Sequence, residues 1–195
     1  QTSPAPLSIS NSSTTAEKTV VVKLTATNEL SCKAASTKTV TIAPNVIASY
    51  TSSILEGCDP FTANFTNLTP STAYNYSWSV NGVAEAITAN HSHAFTNLSN
   101  PPVINKHKVQ LKSSYINNAA CFDTISRFVT VYPRVYPNFT FSNPADCHPL
   151  TTNMTNSTVA YLNTATYSWD LGNGAYSNFK DLTNQLYKNS SATKD

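Results

Sequence analysis

His91 and His93 stand two residues apart, a spacing that on a β-strand puts both imidazoles on one face, where they could share a metal ion. No third ligand from Cys, His or Asp lies at motif spacing, so no residue is assigned to a metal. Nucleophilic catalysis is poorly provided for. The chain has four Gly in all and no Gly-x-Ser-x-Gly elbow. Its 10 acidic residues are scattered, without the paired carboxylates of glycoside chemistry. Four cysteines, Cys32, Cys58, Cys121 and Cys147, form no Cys-x-x-Cys pair, which points away from zinc and towards disulfides in an oxidising compartment. Trp78 and Trp169 offer faces on which sugar rings could stack. Ten Asn-x-Ser/Thr triplets occur, among them those at Asn11, Asn67, Asn97, Asn156 and Asn189, a modest excess for so Asn-, Ser- and Thr-rich a chain.

The elements that would position these residues are strands. Only 11% of the 195 residues are charged, there is one Met, and Ser, Thr, Asn and Val abound, a composition suited to half-buried strands and polar turns rather than helices. An all-β fold is expected. The net charge of +2 comes from 12 basic and 10 acidic residues with no basic stripe, so neither nucleic acid nor an anionic membrane surface is indicated as partner. The longest apolar runs, such as Val20-Val21-Val22, fall far short of the roughly 20 residues of a membrane span. Gln1-Thr2-Ser3-Pro4 lacks the charged and apolar regions of an export signal, so any such signal is removed or lies outside these residues.

The strands recur. Cys58-Asp59-Pro60-Phe61-Thr62 returns as Cys147-His148-Pro149-Leu150-Thr151, 89 residues later, and Cys32 and Cys121, like Pro44 and Pro133, are also 89 apart. Tyr76-Ser77-Trp78 and Tyr167-Ser168-Trp169 are 91 apart. A period near 90 suits one sandwich domain of about seven strands. The chain then reads as the second half of repeat one (1–45), all of repeat two (46–135) and the first half of repeat three (136–195). Val20, Val22, Leu24 and Ala26 alternate with Val21, Lys23 and Thr25, and Val109 and Leu111 with Gln110 and Lys112, and each run should bury one face. Both Trp lie mid-strand at equivalent places, which assigns Trp78, Trp169 and Phe95 to the core. Asp59 is replaced by His148 in the next repeat, and Asp170 has Ser79 as its counterpart. Catalytic groups do not alternate between acid, hydroxyl and imidazole, so no catalytic residue is assigned and the chain is not expected to be an enzyme.

Tyr167-Ser168-Trp169-Asp170-Leu171-Gly172-Asn173-Gly174 resembles the hallmark strand and turn of PKD (polycystic-kidney-disease) domains. His93-Ala94-Phe95 and Lys108-Val109-Gln110-Leu111 are similar to that family's later motifs, and the frame from Gly57-Cys58-Asp59-Pro60 to Cys121-Phe122-Asp123-Thr124 is similar to the cysteine-containing PKD repeats of large Bacteroidota surface proteins. Gliding-motility adhesins and other type IX-secreted proteins are of that kind. The resemblance implies tandem immunoglobulin-like β-sandwiches, an extracellular or cell-surface location, and Asp123-Thr124-Ile125 as an O-glycosylation acceptor at Thr124. It also raises Ca²⁺, which some PKD domains bind through acidic turns. Here Ser79-Val80-Asn81-Gly82 replaces the acidic turn and Asn173 the second Asp, so no tight site and no cofactor is expected.

Two cysteine pairings stay open. Cys58 and Cys121 could seal repeat two, or the early Cys of one repeat could be stapled to the late Cys of its neighbour. In an immunoglobulin topology the two turns lie at opposite ends, some ~20 Å apart by strand rise, against the ~7 Å between Cα atoms that a disulfide spans. The staple is favoured. The function expected is a spacer in a long adhesin or filament, with neighbouring repeats, surface polysaccharide or other surface proteins as partners. Alternatives are a glycan- or protein-binding module, or an accessory domain of a secreted hydrolase.

Overall fold

The computed structural model describes residues 6, 8–70 and 74–189. In chain order the strands are β1 (Lys18–Thr27), β2 (Lys33–Ile42), β3 (Tyr50–Ser52), β4 (Glu56–Cys58), β5 (Phe61–Asn67), β6 (Tyr74–Val80), β7 (Val83–Ala86) and β8 (His91–Phe95). There follow β9 (Asn105–Tyr115), β10 (Asn118–Tyr132), β11 (Phe139–Phe141), β12 (Leu150–Asn156), β13 (Trp169–Asp170), β14 (Tyr176–Ser177) and β15 (Leu182–Tyr187). The described residues are almost all β, with a single 3-10 turn at Tyr161–Asn163 and no helix long and apolar enough to cross a membrane. Contacts divide the chain into two compact units. The first comprises the chain up to Glu56 with Thr62–Ala94 and Lys106–Thr130, the second Gly57–Phe61, Phe95–Asn105 and the chain from Val131. This division follows contacts, whereas the limits at 45 and 135 follow sequence periodicity.

Most residues of two sheets, one of order β3-β5-β8 and one of order β4-β10-β9-β6-β7, belong to the first unit. Alternation makes the faces: β5 buries Ala63 and Phe65 and exposes the residues between, and β9 buries Val109, Leu111, Ser113 and Tyr115 in the same way. Trp78 is fully buried. Its ring meets Tyr50 edge-on at 5.1 Å and Phe65 at 5.9 Å, so one β6 side chain joins the two sheets. The Tyr50 hydroxyl donates to the Val109 carbonyl at 2.9 Å. Burial pushes the Tyr50 phenol up to about 12, against the opposing pull of Arg127. The buried hydroxyls of Thr69 and Ser113 satisfy each other at 3.1 Å. β6 and β7 pair up to Val80 and Val83. The two residues between, Asn81 and Gly82, both have positive φ, 51° and 83°, which is the demand of a tight two-residue hairpin turn.

β1 and β2 form a two-stranded ribbon, in register from Lys18↔Ile42 to Thr27↔Lys33. The expected buried face is absent. Val22 and Leu24 are 51% and 70% exposed, although Leu111, the counterpart of Val22 in β9, is fully buried. The reason is that no second sheet lies over the ribbon among the described residues, and alternation buries a face only when something covers it. The base of the ribbon is held firmly. Tyr74 donates its hydroxyl to the Thr14 carbonyl, Tyr115 donates to Glu17 at 2.6 Å, and Asn45 N–H donates to the Ser13 carbonyl at 2.8 Å. Val46, Tyr74 and Tyr115 form an apolar cluster there, with Ala43, Tyr76 and Cys121 against it.

The second unit repeats this geometry locally. β11 and β12 pair as Phe139↔Asn156, Thr140↔Thr155 and Phe141↔Met154. β3 and β5 pair as Tyr50↔Asn67, Thr51↔Thr66 and Ser52↔Phe65, the same register 89 residues earlier on both strands. β5 and β12 share one burial pattern, position by position. β15 completes a sheet of order β11-β12-β15, and β13 and β14 pair as a short hairpin.

Candidate functional site

The densest cluster of chemistry-bearing side chains in the first unit is built where the chain passes from β7, an edge strand of one sheet, to β8, an edge strand of the other. Glu85 on β7 comes to His93 on β8, with 3.3 Å between Oε2 and Nδ1 and side chains 28% and 24% exposed. His91, one step back along the same face, completes a group whose ligand atoms lie within 4.8 Å of one another. The two-residue spacing brings the imidazoles together in the sequence but not Glu85, which comes from the preceding strand rather than from a linear motif. His91 stacks on Phe65 and Trp78, with centroids 6.2 and 5.9 Å away, and its Nε2 is buried without a hydrogen-bond partner. That burial lowers the His91 pKa below the ordinary imidazole value, partly opposed by Glu85 and reinforced by His93.

His107 adjoins the cluster. Asn81 Oδ1 accepts the Lys108 N–H at 2.9 Å, so its amide nitrogen is the donor facing His107 Nδ1 at 3.0 Å. The His107 proton is thereby placed on Nε2. Burial lowers its pKa, and the proximity of His93 lowers it further.

A second polar centre lies in the second unit, at Asp59. Its carboxylate is fully buried and meets Arg134 Nη2 and Nε, both at 2.8 Å from Oδ2. Oδ1 accepts the Asn97 N–H at 2.5 Å. Asn97, 1% exposed, donates in turn to the Val103 and Val131 carbonyls at 2.7 and 2.8 Å. No motif singles out Arg134, and the triplet at Asn97 does not reveal these bonds. The counterpart of Asp59 explains the exchange with histidine, since His148 Nδ1 accepts the Asn189 N–H at 2.9 Å. Both positions need an acceptor for a loop amide, which a carboxylate or an imidazole nitrogen can supply. This is a structural requirement met at both positions.

Four of the ten Asn-x-Ser/Thr triplets form a local turn. Asn11, Asn67, Asn97 and Asn156 each accept, through Oδ1, the N–H of the Ser or Thr two residues on, the local turn that Asn side chains favour.

The expected core residues separate. Trp78 is fully buried and Phe95 is 1% exposed, the Phe95 ring lying 5.6 Å from that of Phe61. Trp169 is only half-buried and lines a pocket of about 300 Å³ with Phe139, Pro137 and Tyr167. Phe139 and Phe141 are 46% and 45% exposed, whereas Tyr50, the counterpart of Phe139, is 1% exposed. Yet the local bonding is preserved. The Trp78 indole N–H donates to the Thr88 carbonyl, and that of Trp169 to the Phe179 carbonyl, each ten residues on. Trp169 therefore has the place of a core residue without the cover.

All four cysteines are free thiols, Cys32, Cys58 and Cys147 exposed and Cys121 partly buried. The Thr130 N–H donates to the Leu55 carbonyl, nine residues along β10 from Cys121, which is about 30 Å of strand. Thr124 is exposed, and its neighbour Asp123 accepts the Ala48 N–H at 2.9 Å. The chain matches no family model and no curated protein.

Proposed function

We propose that this chain is a non-catalytic spacer from a tandem array of immunoglobulin-like, PKD-type sandwiches in a long extracellular or cell-surface protein. The observation that carries this reading is the recurrence of one bonding scheme at a near-constant offset. Besides the shared β3–β5 and β11–β12 register, Leu68 N–H donates to Ser49 as Ser157 N–H does to Asn138, and Ser53 N–H to Asn64 as Ser142 N–H does to Asn153. Asn67 N–H reaches the Asn90 side chain as Asn156 N–H reaches that of Asp181. Such agreement is expected of units repeated along one chain, each burying its own sheet faces. The bare apolar faces at Val22 and Leu24, and at Phe139 and Phe141, are then the uncovered inner faces of half-sandwiches, to be closed by strands of the same repeats.

Polar centres that could suggest catalysis are absorbed by structural roles, as at Asp59 and His148. Incubated with peptide, glycoside and ester substrates, the chain is expected to give no turnover above the uncatalysed rate. Reproducible hydrolysis, lost on Asp59→Asn or Glu85→Gln, would overturn the spacer reading.

A further inference from the structure

The repeat offers a comparison that isolates what His91 is for. In the Trp-to-edge segment the offset is 91: Trp78 corresponds to Trp169, and Asn90 to Asp181 by their matching bonds. Leu182 therefore takes the place of His91, and it is 4% exposed. A leucine fills that position without any polar atom to satisfy. His91 occupies it with a buried Nε2 that has no hydrogen-bond partner, an arrangement that side-chain packing alone does not favour. By the same offset Asn184 stands for His93 and Tyr176 for Glu85. The three groups are thus absent together from one copy and present together in the other.

What they share is a point in space. Their ligand atoms lie within 4.8 Å of one another, and the 3.3 Å from His93 Nδ1 to Glu85 Oε2 is close to the edge of a tetrahedron with bonds of about 2.0–2.1 Å. We infer that Glu85, His91 and His93 form a binding site for a divalent transition-metal ion of the zinc class, taken by two imidazole nitrogens and one carboxylate oxygen. Imidazole ligation favours zinc, copper or nickel, whereas calcium and magnesium take oxygen. Glu85 is exposed, so the remaining coordination position faces solvent. Since β7 and β8 are edge strands of different sheets, the ion would clip the two sheets together along one side of the sandwich.

The test uses the full chain carrying Cys32→Ser, Cys58→Ser, Cys121→Ala and Cys147→Ser, which removes thiolate ligands elsewhere. Titrated with Co²⁺, it should bind one ion per chain with visible d–d absorption, and Zn²⁺ should displace it. Saturating Zn²⁺ should raise the unfolding midpoint by ~5 °C. His91→Leu, which installs the residue of the other copy, should leave the metal-free midpoint unchanged or higher and weaken Zn²⁺ binding at least ~10-fold. Glu85→Gln, at an exposed position, should weaken it in the same direction. Absence of saturable Co²⁺ and Zn²⁺ binding, or binding undiminished by both substitutions, would overturn the assignment.

Discussion

Trp78→Ala should destabilise the sandwich of the first unit by about 3–5 kcal/mol, the usual cost of truncating a large buried aromatic, whereas Trp169→Ala should cost only about 1 kcal/mol. The two residues follow the same Tyr-Ser pair and make the same indole bond to a carbonyl ten residues on. They differ in cover. Trp78 is enclosed by Tyr50 and Phe65, with His91 stacked beside it, and its removal leaves a hole that the close-packed Val109 and Leu111 cannot fill without moving. Trp169 contacts Phe139 at 5.0 Å and otherwise faces an open pocket, so water replaces the lost ring. Urea denaturation of both variants, with stabilities extrapolated linearly, measures the difference. Equal losses at the two positions would show that the second unit is closed around its Trp and that the spacer account is wrong about its open face.

Asp59→Ala should cost about 2–4 kcal/mol, and Asp59→Asn distinctly less. The alanine variant removes the only acceptor described for the Asn97 N–H, in a residue 1% exposed, and a buried donor left unpaired carries its full desolvation penalty. Arg134 contributes less than its two contacts suggest, because its side chain is 44% exposed and can rehydrate when its partner is lost. The asparagine variant keeps an oxygen for the Asn97 N–H and gives up only the charge. The acceptor role at His148 requires this ordering. If Asp59→Asn proved as damaging as Asp59→Ala in the same denaturation experiment, the ion pair with Arg134 would be the dominant interaction instead.

Much of this was legible in the sequence, for definable reasons. Strand identity and the 89-residue offset follow from residue types that recur with their neighbours, so that the pairing of Tyr50 with Asn67 foretells that of Phe139 with Asn156. The exposure of Val22, Leu24 and Trp169 was not legible, because alternation states which residues share a face and is silent on what covers it. Glu85 was missed as a companion of His91 and His93 since the three meet only through the crossing from β7 to β8. Asp59 and His148 occupy equivalent positions with chemically different side chains. Their common function as acceptors for a loop N–H becomes visible only once Asn97 and Asn189 are placed beside them.

The account is tested most directly by reading the coding sequence beyond Asp195. If residues 136–195 are the first half of a further repeat, the next ~40 residues should supply what β9 and β10 supply to repeat two. The expected result is an alternating apolar strand like Val109-Gln110-Leu111, a polar turn bearing a cysteine, and a second alternating strand that ends in proline. A stop codon in that interval, or a sequence with helical period, would leave Phe139 and Trp169 without their cover and contradict the tandem-array reading.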